Sequence, residues 1–194
     1  TCEGSILNAK RPAAVAAGNV ETSMRLVDVI FGALAKASPE LVPSAAQGTM
    51  NNIAMGLIDE DRGTRWDYYE TVAGGTGGGP NFKGLDGKHS HMTNTLNTPV
   101  ESVEMHYPLR ISRYELRRQS GGNGKNRGGN GIIREYEFLD DAYVTVLSER
   151  RITRPWGLQG GKSGDIGVNL FNHSPVPGKC SLKAKRGDKL TILT

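Results

Sequence analysis

The chain has 194 residues, of which 37% are hydrophobic, and a formal net charge of +4. That length and apolar content support one packed domain or one and a half, and they exclude a disordered chain. The positive balance permits an anionic ligand, but the basic residues are scattered among acids, as Arg117 and Arg118 lie beside Glu115, so no nucleic-acid surface is expected.

Cys2 and Cys180 stand far apart and match no zinc, dithiol or disulfide-framework spacing, which fits a reducing cytosol. No run approaches about 18 consecutive apolar residues, and Thr1-Cys2-Glu3-Gly4 is neither a basic nor an apolar leader. A soluble, cytoplasmic protein without a membrane span is expected. The start inside structured-looking sequence, without Met, reads as a processed or recombinant fragment.

In chain order, the first element is a helix from Val20 to Lys36. Glu21, Arg25, Asp28, Gly32 and Lys36 form a polar or neutral stripe at spacings of three and four, while Met24, Leu26, Val27, Val29, Ile30, Phe31, Ala33 and Leu34 cover the rest. Such a helix is expected to be mostly buried, with Asn19 as N-cap, Glu21 in the first turn and Ser38-Pro39 as the stop. Around Ser44 a second short helix competes with a loop, and Gly48 favours the loop.

From Asn52 the texture becomes extended. Ile53 to Ile58 and Trp66 to Val72 flank an Asp- and Gly-rich turn and predict a hairpin. Further strands are expected at Val100 to Glu104, Leu109 to Leu116, Ile132 to Leu139, Ala142 to Ser148, Cys180 to Ala184 and Lys189 to Leu193. Ile111, Arg113, Glu115 and Arg117 alternate with Ser112, Tyr114 and Leu116, whereas Ile133, Tyr136 and Phe138 break strict alternation, which implies that at least some strands are bulged or buried on both faces. The expected fold class is α+β: one long buried helix near the N-terminus, then a mainly antiparallel, glycine-rich β-sheet region. The helical part is placed at about 12–50 and the β-rich part at about 51–194. No repeat of 20 to 50 residues is visible.

Gly74 to Gly79 is either a surface loop or a close-approach site for an anion or carbonyl oxygen; Gly121 to Gly131, which joins two strands and holds two cations, suggests phosphate or RNA contact, but a structural loop is preferred. Gly157 to Ser163 resembles a phosphate-binding loop, but Trp156 stands where the first glycine of that motif belongs, so no nucleotide is expected there. His89 and His91, two apart, would share one face of an extended strand, a geometry for acid–base work or a metal; a solvated polar turn is the plainer alternative. Gln47 to Asn52 supplies amides that can bond a carbonyl or oxyanion, and Glu70 ends the aromatic strand as a possible base or imidazole partner.

The order of these pieces carries more than any one of them. Pro12 to Ser23, Gln47-Gly48-Thr49-Met50-Asn51-Asn52, Tyr69-Glu70-Thr71 and His91 to Glu101 closely resemble the hydantoinase B/oxoprolinase family. The similarity continues through Tyr107 to Arg110, Tyr114 to Arg117, Gly128 to Gly131 and Pro155 to Gly161, nearly the whole chain.

The resemblance implies the C-terminal portion, residues 1–194, of a longer subunit in an ATP-dependent cyclic amidohydrolase of the 5-oxoprolinase or N-methylhydantoinase type. It also implies a hydantoinase A-type partner subunit that binds ATP and Mg and phosphorylates the amide oxygen, within a hetero-oligomer. A divalent metal would belong to the N-terminal half, so no metal ligand is assigned here. An ATP-dependent ketone carboxylase subunit related to acetone carboxylase, and a non-catalytic assembly or binding module, are the alternatives. Within the enzyme reading, His91 is the expected acid, base or orienter and Glu70 its carboxylate partner or water activator. Asn51, Asn52, Asn94 and Thr95 are the expected substrate hydrogen bonders.

Overall fold

The computed structural model describes residues 1–15 and 17–194; Ala16, inside the Pro12 to Ser23 motif, lies outside the described residues. Among the described residues, two helices and nine strands make an α+β fold. One sheet runs β2-β1-β5-β8, from Thr64–Thr71, Asn52–Asp59, Ala142–Leu147 and Lys179–Ala184. The other runs β3-β4-β9-β6-β7, from Leu109–Arg117, Gly131–Phe138, Lys189–Leu193, Val168–Phe171 and Ser174–Val176. Every pairing is antiparallel.

Alternation explains how the sheets meet. On β2, Trp66, Tyr68 and Glu70 point inward while Arg65, Asp67 and Tyr69 face solvent. On β4, Ile132, Arg134, Tyr136 and Phe138 share one buried face. The inward residues of both sheets form a single core with Ile53, Val144, Val146, Leu190 and Ile192. β4 is buried on both faces over its first half, as its broken alternation implied, and β3 carries a bulge between Ile111 and Arg113. Glycine is rare inside the strands, at Gly56 and Gly131; the glycine richness belongs to the loops.

One expected strand is corrected. Val100–His106 is a helix, α2, not a strand. Val100, Val103 and Tyr107 recur at helical spacing, Pro99 sits at the N-cap position and Glu101 in the first turn, and Val103 seals the core. β6 and β7 were not anticipated, because their few residues are broken by Pro175.

The first helix, α1, runs Gly18–Leu34, and its N-cap position is Ala17, not Asn19, with no side-chain cap. Its burial is the reverse of a simple amphipathic helix. Glu21, Met24 and Asp28 are its buried residues, whereas Val29, Ile30 and Leu34 are 65%, 53% and 49% exposed. The polar stripe turns inward because its carboxylates meet backbone and side-chain donors from the 46–52 segment. Glu21 Oε1 accepts from Met50 N and Asn52 Nδ2 at 3.1 and 2.9 Å, and Asp28 Oδ1 accepts from Ala46 N at 3.4 Å. No described helix is long and apolar enough to cross a membrane.

Candidate functional site

Where α1 meets the glycine-rich loops, a cavity of about 470 Å³ opens. Its floor is the extended 42–51 segment with Arg150 and Arg151, which follow β5, and its walls are glycine loops from 75–80, 120–131 and 155–167. These loops are tied to one another through backbone. Gln47 N donates to Gly75 O at 3.0 Å, Gly129 N to Thr76 O at 2.9 Å, Lys162 N to Asn123 O at 2.7 Å and Ala45 N to Trp156 O at 3.1 Å. A Cβ on Gly75 would lie 2.0 Å from Gly129 O, so this approach requires glycine. The loops are therefore fixed cavity walls, not loose surface segments.

Three polar side chains on this floor hold unmatched atoms. Asn51 Nδ2 donates to Gln47 Oε1 at 2.9 Å and to Val72 O at 3.0 Å, leaving Asn51 Oδ1 buried and without a partner. Gln47 Nε2 is likewise buried and unpartnered, so the reciprocal bond of the pair is not made. Arg150 donates from Nη2 to Asp28 Oδ2 at 2.6 Å and from Nη1 to Arg154 O at 2.9 Å, while its Nε has no partner. Buried polar atoms are normally satisfied, and these three exceptions all belong to residues that line one cavity.

Behind the floor, Asp28 joins the cavity to His91. His91 Nε2 lies 3.0 Å from Asp28 Oδ1, and Phe31 packs against the imidazole edge-on at 6.0 Å between ring centroids. His91, Asp28 and Arg150 thus form one continuous chain. His91, Arg150 and Asn51 all adopt left-handed backbone, with φ of 56°, 59° and 50°. Such conformations cost of order 1 kcal/mol or more and persist where the surroundings fix them, often at functional sites. Gly48 is required beside them: its φ is +65°, and a Cβ there would come 2.6 Å from Asp28 Oδ2 and 2.9 Å from Arg150 Nε.

Burial pushes the Arg150 pKa down, and the charge of Arg25 adds to that. Burial likewise pushes Arg151 down to about 10, with Glu21 and Glu149 opposing it. Glu21 is raised by burial against the lowering hydrogen bonds from Thr49 and Met50.

The residues expected from sequence separate into three groups. Asn51 is on the cavity, and His91 reaches it through Asp28. Asn52 faces the helix instead, donating to Glu21 Oε1 and accepting from the Tyr69 hydroxyl. Asn94 and Thr95 are exposed and not among the cavity residues; Thr95 Oγ1 lies 3.0 Å from Thr71 Oγ1. His89 and His91 do not share a strand, since residues 89–98 form turns and irregular backbone, and His89 is buried apart with both ring nitrogens unpartnered.

Glu70 is not the partner of His91: that carboxylate is Asp28. Glu70 crosses the core from β2 to β4, accepting from Arg134 Nε at 2.9 Å and from the Tyr136 hydroxyl on Oε2, and from Thr98 N at 2.8 Å and Asn97 Nδ2 at 3.1 Å on Oε1. Arg134 also donates to Thr98 O at 2.9 Å and lies 4.5 Å from the centre of the Tyr114 ring. Burial and the Glu70 charge push the Tyr68 hydroxyl up to about 12 and hold Tyr136 well above its ordinary value.

Sequence reasoning missed Asp28, Arg150 and Trp156. The signal for Asp28 was its place in the polar stripe with Glu21; Trp156 stood inside a motif already singled out, and Arg150 carried no local signal.

With this geometry in view, known relatives become informative. The sequence model of hydantoinase B/oxoprolinase matches residues 1–194. The chain belongs to the hydantoinase B/oxoprolinase family. It is 44% identical over 199 residues to a 5-oxoprolinase of Dictyostelium discoideum, covering 98% of this chain and 14% of that protein. It is 34% identical over 165 residues to the B component of a putative D-/L-hydantoinase from a Pseudomonas species, covering 85% of this chain and 27% of the relative. Among solved structures, the ATP-dependent caprolactamase of Pseudomonas jessenii superposes with a TM-score of 0.78 at 25% identity, over 95% of this chain and 34% of that one. The chain therefore spans between 14% and 34% of these relatives. Among the described residues of this hydantoinase B/oxoprolinase chain, no group of three or more His, Cys, Asp or Glu is placed to hold a metal ion, so no step is assigned to one here.

Proposed function

We propose that this chain is part of an ATP-dependent enzyme that opens cyclic amides, and that the cavity above α1 receives the amide. The Gln47–Asn51 pair carries this reading: it leaves one donor, Nε2, and one acceptor, Oδ1, unmatched on neighbouring side chains. A small ring holds its amide cis, so that the N–H and C=O lie on one edge and present the complementary acceptor and donor. Trp156 on the cavity wall offers apolar surface to the ring carbons. The names of two relatives, a 5-oxoprolinase and a caprolactamase, both denote lactams.

Such an amide is a poor electrophile. Transfer of a phosphoryl group from ATP to the carbonyl oxygen, in a separate hydantoinase A-type subunit, would make its carbon reactive; water then adds there, the ring nitrogen leaves as an amine, and a second water releases inorganic phosphate from the resulting acyl phosphate to give the carboxylate. A relative whose name makes it one component of a multi-subunit hydantoinase supports such a division of labour. In this reading Gln47 and Asn51 orient the amide, Arg150 faces the oxygen end, and Asp28 with His91 positions Arg150. Glu70 serves the fold.

The test uses the longer subunit containing this chain, co-expressed with its ATP-binding partner, and a panel of 5-oxoproline, hydantoins and lactams. ATP consumption stimulated by one cyclic amide, with the ring-opened product formed, is the expected result. Gln47→Leu and Asn51→Leu should each lower kcat/KM for that amide by about tenfold or more. Absence of stimulation by every cyclic amide would remove the reading.

A further inference from the structure

We propose that Gly32 of α1 is a positioning residue for ring size: it seats the Trp156 indole and thereby sets how large a cyclic amide the cavity admits. Glycine inside a helix is markedly less favourable than alanine, so its presence within Gly18–Leu34 calls for a reason. Conformation is not that reason, because Gly32 is not among the glycines of positive φ. The reason is space. A Cβ at Gly32 would lie 3.3 Å from Trp156 Cζ2, 3.8 Å from Cη2 and 3.9 Å from Cε2, all on the benzene ring of the indole. The ring rests against the helix where the helix carries no side chain, and a methyl group there would have to displace it by a few tenths of an ångström.

Trp156 lines the cavity whereas no residue of α1 does, so at this point the tryptophan stands between helix and cavity. Its main chain cannot retreat. Trp156 O accepts from Ala45 N at 3.1 Å, Pro155 O accepts from Gly164 N at 3.0 Å, and a Cβ on Gly157 would come 2.2 Å from Gly161 O. Bulk added at Gly32 is therefore taken up by the indole, which moves away from α1 and towards the cavity. Apolar pockets discriminate by volume, and one methylene too many or too few is worth roughly 10- to 200-fold in kcat/KM. This deepens the cyclic-amide reading and rests on it for the substrate; the seat of the indole rests on the packing of Gly32 alone.

Two measurements separate these parts. In the ¹⁵N-labelled 194-residue chain, the indole N–H resonances of its two tryptophans, Trp156 and the core residue Trp66, are compared between the parent and Gly32→Val. Movement of the Trp156 resonance with Trp66 unmoved is expected. In the longer subunit with its ATP-binding partner, the cyclic amide that sustains turnover is compared with its homologue carrying one more ring methylene, as kcat/KM or, for a ring bound but not opened, as an inhibition constant. Gly32→Val should lower the preference for the larger ring relative to the smaller by about tenfold or more, and Trp156→Leu should raise it. On the Trp156→Leu background, Gly32→Val should change that preference by less than about threefold, because it acts through the indole. If the Trp66 resonance shows that Gly32→Val has lost its fold, Gly32→Ala, which favours the helix, replaces it with the same direction expected. An unmoved Trp156 resonance, an unchanged ring preference, or an equal effect of Gly32→Val without the indole would overturn the proposal. A moved Trp156 resonance with no cyclic amide turned over by the complex would instead overturn the amide reading, and the ring-size role with it, while leaving Trp156 seated on Gly32.

Discussion

Asp28 on α1 accepts a hydrogen bond from Arg150 at 2.6 Å, across 122 positions of sequence, and its other oxygen meets His91 at 3.0 Å. One carboxylate thus holds the helix, the cavity floor and the imidazole together. Breaking a buried ion pair from one side leaves an uncompensated charge and typically costs 3–5 kcal/mol. Asp28→Asn keeps the shape but removes the charge, so urea unfolding should show a loss of about 3 kcal/mol. A loss below about 1 kcal/mol would show that Arg150 does not depend on Asp28.

Glu70 gives the complementary expectation. Its oxygens are occupied by Arg134, Tyr136, Asn97 and Thr98, and the ion pair spans the two sheets with both side chains buried. Glu70→Ala should destabilise by about 3–5 kcal/mol. Glu70→Gln, if folded, should retain turnover within about threefold once corrected for the folded fraction. A stable Glu70→Gln variant with turnover lowered a hundredfold would return Glu70 to the chemistry.

These two carboxylates also mark what the sequence discloses. The hairpin β1–β2 and the strands β3, β4, β5, β8 and β9 follow from local alternation and turn chemistry, which are written in adjacent residues. The amide cluster at Gln47 to Asn52 was legible because Asn and Gln in a glycine-containing segment are conspicuous. The partners were not: nothing near Glu70 announces Arg134, 64 positions away, nor does anything near His91 announce Asp28 at 63. The orientation of α1 was misread for a physical reason. Periodicity locates a polar stripe but assigns it to water by default, and here donors from the 46–52 segment satisfy the stripe inside.

Glu21 should give an unusual pH dependence. Burial raises its pKa above the ordinary value of 4.5. The folded chain therefore binds that proton more tightly than the unfolded chain, and this contribution to stability is present at low pH and is lost as pH rises from about 4.5 through the folded pKa. Most paired carboxylates act in the opposite direction. Glu21→Gln should remove the effect, so the variant's stability relative to the parent should grow as pH rises across that window, by at most about 1.4 kcal/mol per unit. Urea unfolding at pH 5 and pH 8 measures it; a difference that shrinks with pH would mean that Glu21 is stabilised as a charge.

The inverted helix is open to a direct test by paired substitutions on α1. Val29 is well exposed and its β-branch is a poorer helix former than lysine, so Val29→Lys in the 194-residue chain should change stability by no more than about 0.5 kcal/mol. Met24 is fully buried on the face that carries Glu21 and Asp28, and Met24→Ala should cost about 2–5 kcal/mol. A reading in which the apolar majority of the helix faces the core predicts that Val29→Lys is severe, because it would bury an ammonium. Thermal or urea unfolding of the two variants separates these outcomes: a loss above about 2 kcal/mol at Val29 would reverse the assignment of the helix faces.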